Sequence, residues 1–381
     1  MRFRITGRMA VLRVDPSSYY SSKCPARCAQ GSPRRRSLLD PVSQGVLGAA
    51  AAQAIAKPRQ VATAGLLGAL SGMAPDLDVL IRSSVDPLLF LEFHRQFTHS
   101  LVFIPIGAAL CAAVLFPFVR RRCRAREVYL YCVIGYATHG LLDACTSYGT
   151  QLYWPFSNAR VAWNNISIVD PLFTIPLLVL VIFAARRGRV VFARVACAWV
   201  AVYLVVGLVQ RDRAEAVGHA IARARQHAPA SVEAKPAFAS LLLWKTIYEH
   251  GGRYYVDAVR VGGTAVYFPG QSTARLVLER DLPWLDPETQ QARDLERFRW
   301  FSQDHLALDA RHPHDVIDIR YSMLPDRIDP LWGIRLDPDA SSETFSRFVT
   351  QRRLDQGDRN RLLEMMFAPD AAGARPIDPG S

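Results

Sequence analysis

His94-Arg95-Gln96-Phe97-Thr98-His99-Ser100 runs straight into a 20-residue apolar stretch, Ser100 to Val119. That junction decides how the chain is read. Two imidazoles, an arginine and a threonine crowd the lip of a segment long enough to cross the hydrocarbon of a bilayer. Ionisable groups at membrane depth are costly and are retained for chemistry. Upstream, Pro75-Asp76-Leu77-Asp78 closes another apolar stretch, and downstream, His139-Gly140-Leu141-Leu142-Asp143 lies inside a third. Three His/Asp motifs, each at the edge of an apolar segment, read as the ligand sets of one metal site at a membrane surface.

Outward from the junction, Gly45–Ala56 and Val61–Ala74 are short apolar runs that fit a buried helical hairpin or a re-entrant pair. Ser100–Val119, Val128–Cys145, Ile168–Ala185 and Val190–Val209 approach the ~20 residues a spanning helix needs. The sequence therefore predicts a mainly α protein: a polytopic α-helical membrane domain over 40–210 with a C-terminal soluble α+β domain. Residues 1–39 read as a disordered N-terminal extension and 211–228, with alternating charges, as a linker helix. Short alternating runs such as Arg253–Val261, Thr264–Phe268 and Asp315–Tyr321 predict a small strand-rich domain over 229–345. The remainder, 346–381, reads as a tail.

The chain has 381 residues, half of them apolar, and a net charge of +12. On a single soluble domain that charge would point to nucleic acid. Here much of the arginine sits in short blocks between apolar runs, which excludes a nucleic-acid partner and sets topology instead. Arg120, Arg121, Arg122, Arg124 and Arg126 fill one loop and Arg186, Arg187 and Arg189 another, so both are expected on the cytoplasmic side. The loop Ser147–Ser167 and all three His/Asp motifs then fall on the outer face; Arg34–Arg36 would fall there too, against the rule. Seven cysteines make an odd count with no disulfide framework. Cys24 and Cys28 lack the second ligand pair of a zinc knuckle.

His139 and Asp143, spaced i, i+4, share one helix face. His94 and His99 are five apart, roughly 140° around an ideal helix, so the chain is expected to enter the helix near Thr98 with His94 folding back. Asp76 and Asp78 flank Leu77 after a proline; in an extended segment both carboxylates would point the same way. Imidazoles with carboxylates suit a divalent metal ion, zinc first, with manganese or iron fitting the same donors. The expected ligands are Asp76, Asp78, His94, His99, His139 and Asp143. Six donors leave room for two metals, or for carboxylates that orient the imidazoles. A metal there would acidify bound water into a hydroxide nucleophile. Arg95 is expected to neutralise an anionic substrate such as phosphate, and Glu92 to serve as a general base or ligand.

These motifs, in this order, resemble the LexA-binding, inner-membrane-associated metal-dependent hydrolases of bacteria. The likeness extends to Asp40-Pro41-Val42-Ser43-Gln44 and to Thr146 through Ser157, and covers about residues 40–210. Where that family often has Thr-His near its opening, this chain has Ser43-Gln44. The resemblance implies a multi-pass protein of the bacterial inner membrane with a metal site.

The leading function is an integral-membrane metal-dependent hydrolase working at the membrane surface. Its partners would be the lipid bilayer and a membrane-proximal substrate, a phosphate ester or a lipid-linked molecule; no feature specifies an oligomeric state. The alternative is a non-catalytic membrane scaffold or regulatory protein with a structural metal site. An ion transporter fits less well, because the motifs lie at helix ends rather than at the bilayer midplane.

Overall fold

The structure, a computed structural model, describes residues 39–351, 355–369 and 371–378. The extension expected over 1–39 thus lies outside the described residues, apart from Leu39, as do Cys24, Cys28 and Arg34–Arg36. Helices α1 (Leu39–Ala54) and α2 (Val61–Met73) form a tight hairpin. They cross where neither has a side chain: a Cβ on Gly48 would sit 2.3 Å from the Gly68 carbonyl oxygen. α2 passes into a 3-10 helix, Ala74–Leu80, with Pro75 in its first turn, where a missing N–H costs nothing. A short α3 (Leu89–Phe93) precedes the His94–His99 turn. Ser100 then caps the 3-10 turn Leu101–Phe103, its Oγ accepting from the Phe103 N–H at 3.3 Å, and the chain continues into α4 (Ile104–Val119).

Helix α5 (Ala125–Cys145) is the centre of the helical unit, packed against α1, α2 and α4. α6 (Pro171–Arg187) starts on an Asp170 cap, whose Oδ1 accepts from Leu172 N–H at 3.1 Å and Phe173 N–H at 3.2 Å. It ends at Gly188, which turns the chain with φ 62°. α7 (Val190–Ala224) follows.

The polytopic reading is overturned. Among the described residues, two helices are long and apolar enough to cross a membrane, Leu101–Val119 and Val190–Ala224. α6 has 17 residues, roughly 25 Å of helix, short of the ~30 Å hydrocarbon core. α5 has the length, but Val128, Cys132, Gly135, Tyr136, His139 and Asp143 are buried among its neighbours, so its apolar run serves as a protein core. The mainly α reading falls as well: helix takes about 49% of the described residues and strand 16%, in two sheets that make the C-terminal part sheet-rich.

One sheet has the order β1 (Val232–Pro236), β2 (Leu243–His250), β3 (Arg253–Val261), β4 (Ala265–Phe268), β10 (Arg375–Pro376), with β5 (Ser272–Ala274) also on β3. The other is β6 (Leu306–Asp309), β7 (His312–Asp318), β8 (Trp332–Arg335), β9 (Arg347–Thr350), and all pairings are antiparallel. α8 (Leu278–Asp281) and α9 (Gln290–Phe301) connect the two sheets, and α10 (Gln356–Phe367) precedes β10. The segment expected as a tail is therefore built in: Leu362, Met365 and Met366 pack with Leu243 and Phe268.

Among the described residues no separate linker helix divides the chain. α7 runs on unbroken, and its second half buries Ala214, Val217 and Ile221 against Ala234, Trp244 and Val259 of the first sheet. Leu88 and Leu91, just before the His94–His99 turn, sit in one core with Leu295, Phe298, Val316, Trp332 and Ile334. Arg297 of α9 grips the same segment, bonding Asp86 at 2.8 and 3.1 Å and Glu92 at 2.5 Å. The cationic loops gather at the opposite end of the helices, where Lys57 pairs with Glu127 and Gln60 bonds the Arg122 carbonyl.

Candidate metal centre

α5 supplies His139 and Asp143 from its last turns, one above the other on its face toward the His94–His99 turn. The helix approaches that turn closely because Gly140 lies between them: a Cβ there would stand 2.3 Å from the His99 carbonyl oxygen. The turn is reversed at Arg95, whose φ of 66° is rare for a residue with a side chain. Two bonds hold it: the Arg95 N–H donates to Asp78 Oδ2 at 3.0 Å, and its carbonyl accepts from the Gln151 N–H at 3.0 Å.

Four donor atoms converge. His99 Nε2 lies 2.9 Å from His139 Nε2. Asp76 Oδ1 is 3.6 Å from the first and 3.4 Å from the second. Asp143 Oδ2 is 3.3 and 3.8 Å from them. Tetrahedral zinc with bonds of ~2.0–2.2 Å separates its ligand atoms by about 3.4 Å, so the donor set fits such an ion.

The tautomers support the same fit. His139 Nδ1 donates to the Gly72 carbonyl at 2.6 Å, which leaves Nε2 with its lone pair. His99 Nδ1 faces Asp78 Oδ2 at 3.3 Å and Thr98 Oγ1 at 2.9 Å. With Nδ1 protonated on both rings, the two Nε2 lone pairs point at one another. A cation between them, or a proton on one, removes the repulsion. Burial by itself would lower the His99 imidazole, but the Asp143, Asp76 and Asp78 carboxylates outweigh it and push it up to about 10. Burial would raise the Asp76 and Asp78 carboxyls, and their histidine partners instead hold both well below the usual carboxylate range.

The pair Asp76/Asp78 departs from expectation. The segment is a 3-10 helix rather than extended, so residues two apart point to different sides. Asp76 reaches the Nε2 side of His99, while Asp78 reaches its Nδ1 side and also His94 Nδ1 at 2.8 Å. The six expected ligands thus fall into two donor groups sharing Asp76: one with His99 and His139, the other with Asp78 and His94. Asp143 lies beside the two imidazoles of the first, its Oδ2 3.3 Å from His99 Nε2 and 3.8 Å from His139 Nε2. His99, His139 and Asp143 are sealed from solvent, whereas a quarter of the Asp76 side chain and a third of His94 are exposed, so the centre opens on that side.

Arg95 and Glu92 stand elsewhere than expected. The Arg95 guanidinium is buried, with Nε 3.1 Å from Asp143 Oδ2 and Nη1 donating to Thr146 Oγ1 at 3.2 Å. It holds a ligand rather than facing outward. Glu92 is taken by Arg297 and joins neither donor group. Sequence reasoning missed three supports. Gln44 donates to Asp143 Oδ1 at 2.8 Å, from the position noted only as a departure from Thr-His. Thr98 and the Gly72 carbonyl orient the imidazoles, and the latter carries no side-chain signal at all.

Residues 39–214 match the family described as YdjM inner membrane protein. The chain is similar to inner membrane protein YbcI of Escherichia coli (strain K12), 33% identical over 107 residues, which is 26% of this chain and 60% of that one. It is also similar to uncharacterized protein YfhP of Bacillus subtilis (strain 168), 27% identical over 148 residues, 38% of this chain and 45% of that one. It therefore spans about half the length of these curated relatives. No solved structure matches. The helical unit is thus similar to bacterial inner-membrane proteins, and the two sheets lie beyond the matched residues.

Proposed function

We propose that the protein is a metal-dependent hydrolase of the bacterial inner membrane, acting at the membrane surface on a phosphate ester, free or lipid-linked. The observation that carries this reading is the facing pair of Nε2 atoms, His99 and His139, at 2.9 Å with Asp76 and Asp143 beside them. A divalent ion, zinc foremost, would supply Lewis acidity and acidify a water when bound there. His99, His139, Asp76 and Asp143 would hold it.

The other residues position these ligands. Gln44 and Arg95 fix the Asp143 carboxylate, and the Gly72 carbonyl fixes the His139 tautomer. Asp78 orients His99 and, through Nδ1, His94. His94, at the exposed edge, then has Nε2 left to carry a proton to or from substrate. Partial exposure of Asp76 favours this reading over a structural metal, whose sites are closed. The gathering of cations at the far end of the helices supports an orientation with the site on the outer face. On that side a cytoplasmic repressor such as LexA has no access.

The test is hydrolysis of a chromogenic phosphate monoester by zinc-loaded, detergent-purified full-length protein. Activity should fall at least 100-fold in His139→Ala and after chelation. Stoichiometric zinc with no hydrolysis of phosphate esters would favour the structural-metal reading instead.

A further inference from the structure

Beyond the donor cluster, the loop between α5 and α6 carries Arg160, which is 8% exposed. Its Nη2 donates to the carbonyls of Tyr148 at 3.3 Å and Gly149 at 3.0 Å. Its Nε and Nη1 are buried without a hydrogen-bond partner, and it forms no ion pair among the described residues. Trp300 and Phe301 of α9 lie against the guanidinium at 5.4 and 5.0 Å. Two neighbouring cations are already matched, Arg95 by Asp143 and Arg320 by Asp318 at 2.8 Å. Burial, then Arg95 and Arg320, depress the Arg160 guanidinium to about 9. A buried guanidinium without an anion is strongly unfavourable.

Ser147 and Thr150 flank the two residues whose carbonyls hold Nη2, and both hydroxyls are buried without a partner. The loop is joined to the metal centre: the Arg95 guanidinium, which holds Asp143, lies 5.5 Å from the Tyr148 ring.

We propose that Arg160, with Ser147 and Thr150, binds the phosphoryl group of an anionic ligand between the α5–α6 loop and α9. With Nη2 held by the two carbonyls, Nε and Nη1, on two different edges of the guanidinium, each keep an N–H to donate, and the hydroxyls add further donors. This names the substrate class of the hydrolase reading and rests on it for the link to chemistry, while the binding itself does not.

The test is inorganic phosphate binding, by calorimetry, to zinc-loaded full-length protein in detergent, with zinc content measured on the same samples. Arg160→Met should weaken phosphate about tenfold or more and leave zinc content unchanged. Arg160→Lys keeps a long basic side chain at the position, and should still weaken phosphate several-fold because one ammonium cannot supply both the Nε and the Nη1 donor. Wild-type affinity in Arg160→Lys, or no phosphate binding by the wild type, would overturn the proposal. Protein that takes up no zinc yet loses phosphate binding on substitution keeps this inference and removes the hydrolase. Displacement of phosphate by phosphatidic acid in mixed micelles identifies a lipid headgroup as the source; failure to displace identifies a soluble phosphoester, and either supports the anion site.

Discussion

Asp78 and His99 meet through Oδ2 and Nδ1 at 3.3 Å, and the contact sets the direction in which the other nitrogen of the ring looks. With Nδ1 engaged there and by Thr98, Nε2 turns to His139, Asp76 and Asp143. Asp78 thus acts through the imidazole. Asp78→Asn should lower zinc affinity about 10–100-fold, the usual cost of losing such a partner. Asp76→Asn should lower it further, because it removes a donor. Chelator competition ranks the two; equal affinities for Asp78→Asn and wild type would refute the assignment.

Zinc affinity should depend on pH in a fixed direction. The His99 imidazole, ordinarily near 6.5, stands at about 10 in the metal-free fold, so at neutral pH a proton occupies the place of the ion. Uptake must displace it, and affinity should rise about tenfold per pH unit between pH 7 and 9. The same raised value makes the ion pairs of His99 contribute stability fully below about 6.5, and that contribution disappears as pH rises through about 10. Calorimetry in buffers of different ionisation enthalpy counts the proton released; none released contradicts this.

Gly140 should tolerate no side chain. Gly140→Ala puts a methyl 2.3 Å from the His99 carbonyl, with backbone on both sides of the contact, and forces α5 away from the His94–His99 turn. Overpacking of this kind costs about 1–3 kcal/mol. Thermal unfolding should show that loss, accompanied by reduced zinc content. Full zinc content in a variant of unchanged Tm would show that the close approach is not required.

Arg297 should brace the ligand-bearing turn from the sheet domain. Its bonds to Asp86 and Glu92 are partly exposed, so screening limits their worth to about 1 kcal/mol. Arg297→Ala should leave the fold intact and raise hydrogen exchange over residues 83–99 selectively. Exchange unchanged there relative to the two sheets would rule the brace out.

The three His/Asp motifs were legible because i, i+4 spacing and apolar runs are local signals. His139 and Asp143 sit as helix geometry requires. The shape of the Asp76–Asp78 segment was not, since Pro75 is as compatible with the first turn of a 3-10 helix as with extended chain. Arg95 looked available in sequence, and only the left-handed backbone at that residue turns the strand of contacts inward to Asp143. The partner of Glu92 lies 205 residues away, beyond any local pattern. The count of spans failed for a related reason. A continuous apolar run such as Val128–Cys145 reads alike whether lipid or protein covers it.

The central claim is that His99, His139, Asp76 and Asp143 hold one divalent ion. Elemental analysis of detergent-purified full-length protein, after zinc exposure and removal of excess, tests it most directly with wild type beside His99→Ala. We expect about one zinc per chain or more in the wild type, and loss of that ion in His99→Ala with a preserved monodisperse fold. Zinc-free wild type, or equal zinc in both proteins, would contradict the account.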